Sequence, residues 1–213
     1  LEKKIRDALI TAVKQLCQVY WGPSEDLCRQ MLGPSFLGPF DTIASWTEAN
    51  WMADLIGLQN ILDGFSETAP LLDYLGQGYV RLFVNAKGGV AAPLYASCYD
   101  EDEQEPQLMG KAAVGMQQML QDLGIAVSDD VGEPPDHLAI ELEVLYYLLT
   151  RHGAPDQRDD LTAASNFASV SMIPWIRIFY GRLKSESHCR FYPLITAVLL
   201  SVLDAVVDIH NKS

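Results

Sequence analysis

Apolar residues recur along this chain at helical spacing. Ile5, Leu9, Ala12, Val13, Leu16, Val19 and Tyr20 form one face of a first helix. Gly22-Pro23 ends it, and Ser24 caps a short second helix with an acidic first turn, Glu25 and Asp26. MLGPSFLGPF, with two Gly-Pro steps, reads as a connection. Trp46, Trp51, Leu55, Leu58 and Leu62 suggest a helix, broken near Gly57. Pro70 fits the first turn of the next, which points Leu71, Leu72, Leu75, Tyr79, Leu82 and Phe83 inward.

The pattern then changes. A long loop of about residues 86–106 runs from a Gly-rich stretch into the acidic run Asp100-Glu101-Asp102-Glu103 with Glu105. Such a run is a solvated loop or a long-range attractor for a basic peptide. A helix follows from about Gln107 to Leu123, with Met116, Met119 and Leu120 as core and Gly124 as its C-cap. The next is expected from about Pro135 to Arg151 on a stripe of Leu138, Leu142, Leu145, Tyr146 and Leu149. Gly153-Ala154-Pro155 breaks it. Two or three helices complete the chain, with breaks before Pro174 and around Lys184 to His188. No stretch alternates with period two, so the expected fold class is all-α: a single helical domain over residues 1–213.

With 49 % of its 213 residues hydrophobic, the chain can bury a sizeable core. Its net charge of −13 repels nucleic acid and anionic membranes and favours basic partners. Cys17, Cys28, Cys98 and Cys189 are scattered without metal-site spacing, which fits reduced thiols. The opening LEKKIRDALI is helical in pattern and unlike a secretory signal. Pro193 to Leu203 is apolar but shorter than the roughly 20 residues of a membrane span. A cytoplasmic, soluble protein is expected.

The sequence lacks the motifs of common catalysts. Gly88-Gly89 has no following Lys-Ser/Thr, and Gly76-Gln77-Gly78 lies in a helical pattern, not after a strand. HExxH, paired Glu-x-x-His and GxSxG are missing. Neither a metal nor another cofactor is expected.

The most informative segment is EPPDHLAIEL, Glu133 to Leu142. It has the composition of a helix start: Pro135 at an early position, Glu133 and Asp136 near the positive end of the dipole. His137 and Glu141, one turn apart, can pair. A capped helix with a surface ion pair is one reading of these residues.

The segment also resembles the Glu-Pro-x-Asp-His signature of the TorD/DmsD/NarJ family of redox-enzyme maturation chaperones. A second block, Tyr79-Val80-Arg81-Leu82-Phe83 followed by Pro93, Ser97 and Tyr99, is similar to that family's Tyr-x-x-Leu-Phe and Pro-x-x-x-Ser-x-Tyr pattern. Ile173-Pro174-Trp175, Phe179 and Phe191-Tyr192 agree more loosely. The resemblance covers about Leu71 to Ile209.

The resemblance implies a bundle of about eight to ten helices, no catalysis and no cofactor. It also implies partners: the twin-arginine signal peptide and the apo-form of a molybdopterin-dependent oxidoreductase subunit, held until its cofactor is inserted. A monomer or a domain-swapped dimer is compatible with the long loops. The family's Asp-His pair falls on Asp136 and His137. Arginines followed by an apolar stretch call for carboxylates beside an apolar groove, because guanidinium–carboxylate pairing is bidentate and charge-assisted. Asp136, Glu133 and Glu141 are the candidate acceptors. His137 orders Asp136 or accepts a backbone proton, and Pro93, Ser97 and Tyr99 supply a wall. Trp46, Trp51, Met116 and Met119 belong to the core or line the groove. Two other readings are a generic helical peptide-binding adaptor and a hydrolase using Asp136 and His137.

Overall fold

A computed structural model describes residues 2–47, 51–85, 90–100, 108–126, 132–151, 157–184 and 189–212. Among them the architecture is all-α. The only β pairing is an isolated bridge between Tyr95 and His137. Glu101, Asp102, Glu103, Glu105, the Gly88-Gly89 pair and Gly153-Ala154-Pro155 lie outside the described residues.

Helix α1 (Glu2–Trp21) buries all seven residues of its expected stripe and packs most extensively on α7 (Leu138–Thr150). It ends at Gly22, whose φ of +114° suits glycine, beneath the Tyr79 ring. In α2 (Glu25–Met31) the Ser24 hydroxyl accepts the Leu27 N–H, the cap its sequence calls for. The Gly-Pro-rich segment is not wholly connection. Its second Gly-Pro step opens α3 (Gly38–Trp46), because proline at a first-turn position lacks only an N–H that has no helical partner there. Trp46 and Trp51 fall on different elements: Trp46 closes α3, and Trp51 precedes α4 (Met52–Leu62). Gly57 does not break α4. A Cβ there would lie 3.0 Å from Leu194 Cδ1, so the glycine admits the last helix at close range.

Helix α5 (Thr68–Tyr79) continues into a π-helical turn at Val80–Val84 that buries Leu82 and Phe83. After it, a 3-10 turn at Ala96–Tyr99 leads towards α6 (Lys111–Asp122). Gly124, at φ +68°, follows α6 as expected. Apolar residues surround α7, including Ala139, Ile140, Val144 and Leu148 off the expected stripe, which marks a central helix.

Helices α8 (Gln157–Asn166) and α9 (Ile173–Leu183) are joined by a π-helical turn at Phe167–Met172. The expected break before Pro174 is thus a change of helical winding. Proline removes a backbone donor and crowds the preceding turn, and a wider turn relieves both. The last helix, α10 (Phe191–Lys212), packs on α1, α4, α8 and α9. By length and composition Phe191–Ile209 is long and apolar enough to cross a membrane, longer than the sequence reading allowed. In the structure it is a core helix, with Phe191, Ile195, Val198, Leu199, Val202 and Leu203 fully buried.

Buried hydroxyls lock α10 in register. Thr196 donates to the Tyr192 carbonyl at 2.7 Å, so its oxygen accepts from Tyr20 of α1, also at 2.7 Å. Tyr192 donates to the Leu75 carbonyl of α5 at 3.1 Å. Beside these, a Cβ on Gly78 would stand 2.6 Å from the Cys189 sulfur and 3.2 Å from the Tyr192 ring. Gly78→Ala is therefore expected to destabilise the fold by about 1–3 kcal/mol. Adding Cys189→Ala should recover part of the loss, read as midpoints of urea unfolding followed by circular dichroism.

Candidate functional site

The residues singled out from the sequence converge where the 90–100 segment meets the start of α7. Pro134 to Asp136 form a turn, and the helix begins one turn later than expected, with His137 as its N-cap. Asp136 therefore does not face the helix dipole. Its side chain, fully buried, points into the 93–99 segment, where Oδ2 accepts the Ser97 N–H at 2.8 Å. Its carbonyl accepts the Ala96 N–H at 3.1 Å, and Leu138 N–H donates to the Leu94 carbonyl at 2.8 Å. Asp136 Oδ1 and the buried Ser97 hydroxyl have no hydrogen-bond partner among the described residues.

His137 does not pair with Glu141. Its Nδ1 accepts the Ala139 N–H at 3.2 Å, so the neutral ring carries its proton on Nε2. The ring stacks on Trp21 at 5.3 Å between centroids and meets the edge of Tyr95. Burial lowers its pKa, against the opposing pull of Glu133 and Asp136, and favours this neutral form. Glu133, the one exposed carboxylate of the turn, accepts the Tyr95 hydroxyl at 2.6 Å. Asp136 and His137 hold separate backbone amides, which is a positioning arrangement and leaves the hydrolase reading without an acid–base contact between them.

Glu141 is buried and faces α9, where its Oε2 accepts the Trp175 indole N–H at 3.0 Å. Burial raises its pKa well above the ordinary carboxylate value; the Trp175 bond opposes this and nearby Asp136 adds to it. Tyr99 donates to the Pro93 carbonyl at 2.7 Å and packs on Trp175 and Phe179, while the Arg182 guanidinium sits 4.3 Å from its ring centroid.

Two larger openings flank α6. One is a cleft of about 520 Å³ reaching Tyr99, Asp100, Met116, Met119, Glu141, Phe167 and Trp175. The other, about 700 Å³ and mostly apolar, lies between α1 and α7 beside Trp21, Ile140, Val144 and Tyr147. In it Glu143 accepts the Trp21 indole N–H at 2.8 Å. A smaller pocket of about 300 Å³ with Glu133 at its edge shares Leu120 and Ile125 with this groove. Of the residues weighed as core or groove, Trp51 and Met116 are core, and Met116 also lines the cleft with Met119. Sequence reasoning missed Tyr95, Trp21 and Glu143. Tyr95 lay between two motif residues; the others are joined to the site only by contacts remote in sequence.

The class is thus an all-helical bundle in which a Glu-Pro-x-Asp-His turn is hydrogen-bonded to a Pro-x-x-x-Ser-x-Tyr segment. The chain belongs to the TorD/DmsD/NarJ family: the family model described as nitrate reductase delta subunit matches residues 48–181. The chaperone protein TorD of Shewanella sp. (strain ANA-3) is 32 % identical over 163 residues, covering 73 % of this chain and 74 % of that protein. TorD of Escherichia coli (strain ATCC 8739) is 27 % identical over 80 % of this chain and 84 % of its own. The match to TorD of Actinobacillus succinogenes, 29 % identical, spans only 55 % of each chain. A putative redox enzyme maturation protein from Archaeoglobus fulgidus shares the fold, with a TM-score of 0.52 at 20 % identity over 92 % of this chain and 93 % of that one.

Two outcomes follow from this geometry. Asp136→Ala removes the acceptor of a buried amide and should cost about 1–3 kcal/mol of stability. Faster hydrogen exchange at the Ser97 amide than at α10 amides would show that the loss is local. Glu141 binds its proton more tightly folded than unfolded. The stability it contributes is full below the ordinary carboxylate pKa and is lost as pH rises through the raised folded value. Glu141→Gln, which keeps an acceptor for Trp175, should match wild type near pH 4. It should exceed it at pH 8, the gap widening by up to about 1.4 kcal/mol per pH unit where only the unfolded carboxyl is ionised. Denaturant unfolding across that range measures it.

Proposed function

We propose that this protein is a non-catalytic cytoplasmic chaperone. It binds the twin-arginine signal peptide and the apo-form of a molybdopterin-dependent oxidoreductase subunit until the cofactor is inserted. The observation that carries this reading is the family's Asp-His turn clamped onto the Pro93–Tyr99 segment, in a chain related over most of its length to TorD chaperones. Asp136 and His137 act by fixing the shape of the surface, since both are buried and bonded to backbone amides. Pro93, Ser97 and Tyr99 form the segment they hold. Glu133 remains at the surface as a carboxylate for a basic group. The apolar openings beside α6 supply surface for the stretch that follows the arginines. The acidic balance of the chain favours encounter with such a basic peptide.

Isothermal calorimetry with a synthetic peptide carrying two arginines followed by an apolar stretch tests the reading. One-to-one binding is expected, weakened about tenfold or more by Asp136→Ala, or by about 1.4 kcal/mol. A folded wild-type protein that binds no such molybdoenzyme signal, and recovers no molybdenum-containing subunit from anaerobically grown cells, would overturn it.

A further inference from the structure

The cleft beside α6 has a composition that the fold itself does not require. Its floor holds the Glu141 carboxyl, buried to 1 % exposure, and the structure gives it one hydrogen bond, from the Trp175 indole. A buried carboxyl with so little support is a cost to folding. The walls are apolar and aromatic: Tyr99, Met116, Phe167 and Ile178. Asp100 also lines the cleft. The wall that carries Phe167 and Ser171 is the π-helical turn, a winding that often marks functional positions. The opening thus combines a deep carboxyl, a second carboxylate in its lining and apolar, aromatic walls.

We infer that this cleft is an arginine subsite: one guanidinium of the bound peptide enters it and pairs with Glu141 between the apolar and aromatic walls. The inference rests on the signal-peptide reading above and gives it a location. Arginine fits better than lysine, because a planar, weakly hydrated guanidinium can lie along an aromatic and apolar wall and bond a carboxylate in the same plane. Burial keeps Glu141 protonated in the empty cleft. Entry of the cation then breaks the carboxyl O–H bond, and the proton leaves to solvent as the ion pair forms. Of the charged groups around it, Asp136 lies close enough to act on Glu141, and Asp100 and Arg182 lie at the Tyr99 side.

The test is calorimetry of the full chain with the two-arginine peptide at several pH values, in buffers of different ionisation enthalpy. Release of about one proton per peptide is expected, with affinity rising up to about tenfold per pH unit where free Glu141 is protonated. Glu141→Gln keeps the acceptor for Trp175 and should fold. It should bind at least tenfold more weakly at pH 8 and lose both the proton release and the pH slope. A peptide with glutamine in place of both arginines should show no release with wild type. If wild type and Glu141→Gln bind the two-arginine peptide equally at pH 6 and pH 8 with no proton released, the arginine subsite is wrong and the chaperone reading stands. If folded wild type binds no such peptide at any pH, both fall together.

Discussion

The site depends on a hydrogen bond that joins two segments 39 residues apart: the Ser97 N–H held by the Asp136 carboxyl at 2.8 Å. With the Ala96 and Leu138 amide bonds on either side, it fastens the 93–99 segment to the start of α7. The consequences run along the chain in both directions. Tyr95 is placed to donate to Glu133 and to meet the His137 ring, and Tyr99 is placed on Trp175. Trp175 in turn offers its indole N–H to Glu141, one turn into α7. A ring of contacts thus starts at Asp136 and returns to the same helix. A loop of this length would otherwise sample many conformations, and the clamp removes much of that freedom before any partner arrives.

The helices were legible because their signals are local. The α1 stripe, the Ser24 cap and the Gly124 stop each depend on residues within a turn or two. The departures came where tertiary packing overrode local chemistry. Gly57 looked like a break, yet it lies within α4 because Leu194 needs the space. Pro174 looked like a stop, and the chain instead widens its winding. Pro135 looked like a first-turn residue, but the hydrogen bonds of Asp136 to the 93–99 segment delay α7 by a turn.

For the site, the sequence identified the participants better than their partners. Asp136 meets Ser97, and His137 meets Tyr95 of the same segment, while Tyr99 turns to Trp175. The expected His137–Glu141 pair is absent because both side chains have buried partners elsewhere: the Ala139 amide for one and the Trp175 indole for the other. Helical spacing puts two residues on one face, but it does not say whether that face meets water or another helix. Here α7 is covered on nearly all sides, so an exposed ion pair was never available.

That burial changes what acidity means in this protein. Most of the 28 Asp and Glu residues give a diffuse field that draws a basic partner near and is weakened by salt. Asp136 and Glu141 work differently, because each sits where water cannot screen it and each has a defined donor. The former uses its carboxyl on the protein's own backbone. The latter meets an indole and a cleft with apolar and aromatic walls. Structural need accounts for the Asp136 oxygen that holds the Ser97 amide. It does not account for an ionisable group at Glu141, where a glutamine would accept the Trp175 indole without the cost of a buried charge. The difference between these two carboxyls, one turn apart on the same helix start, separates what builds the surface from what the surface can bind.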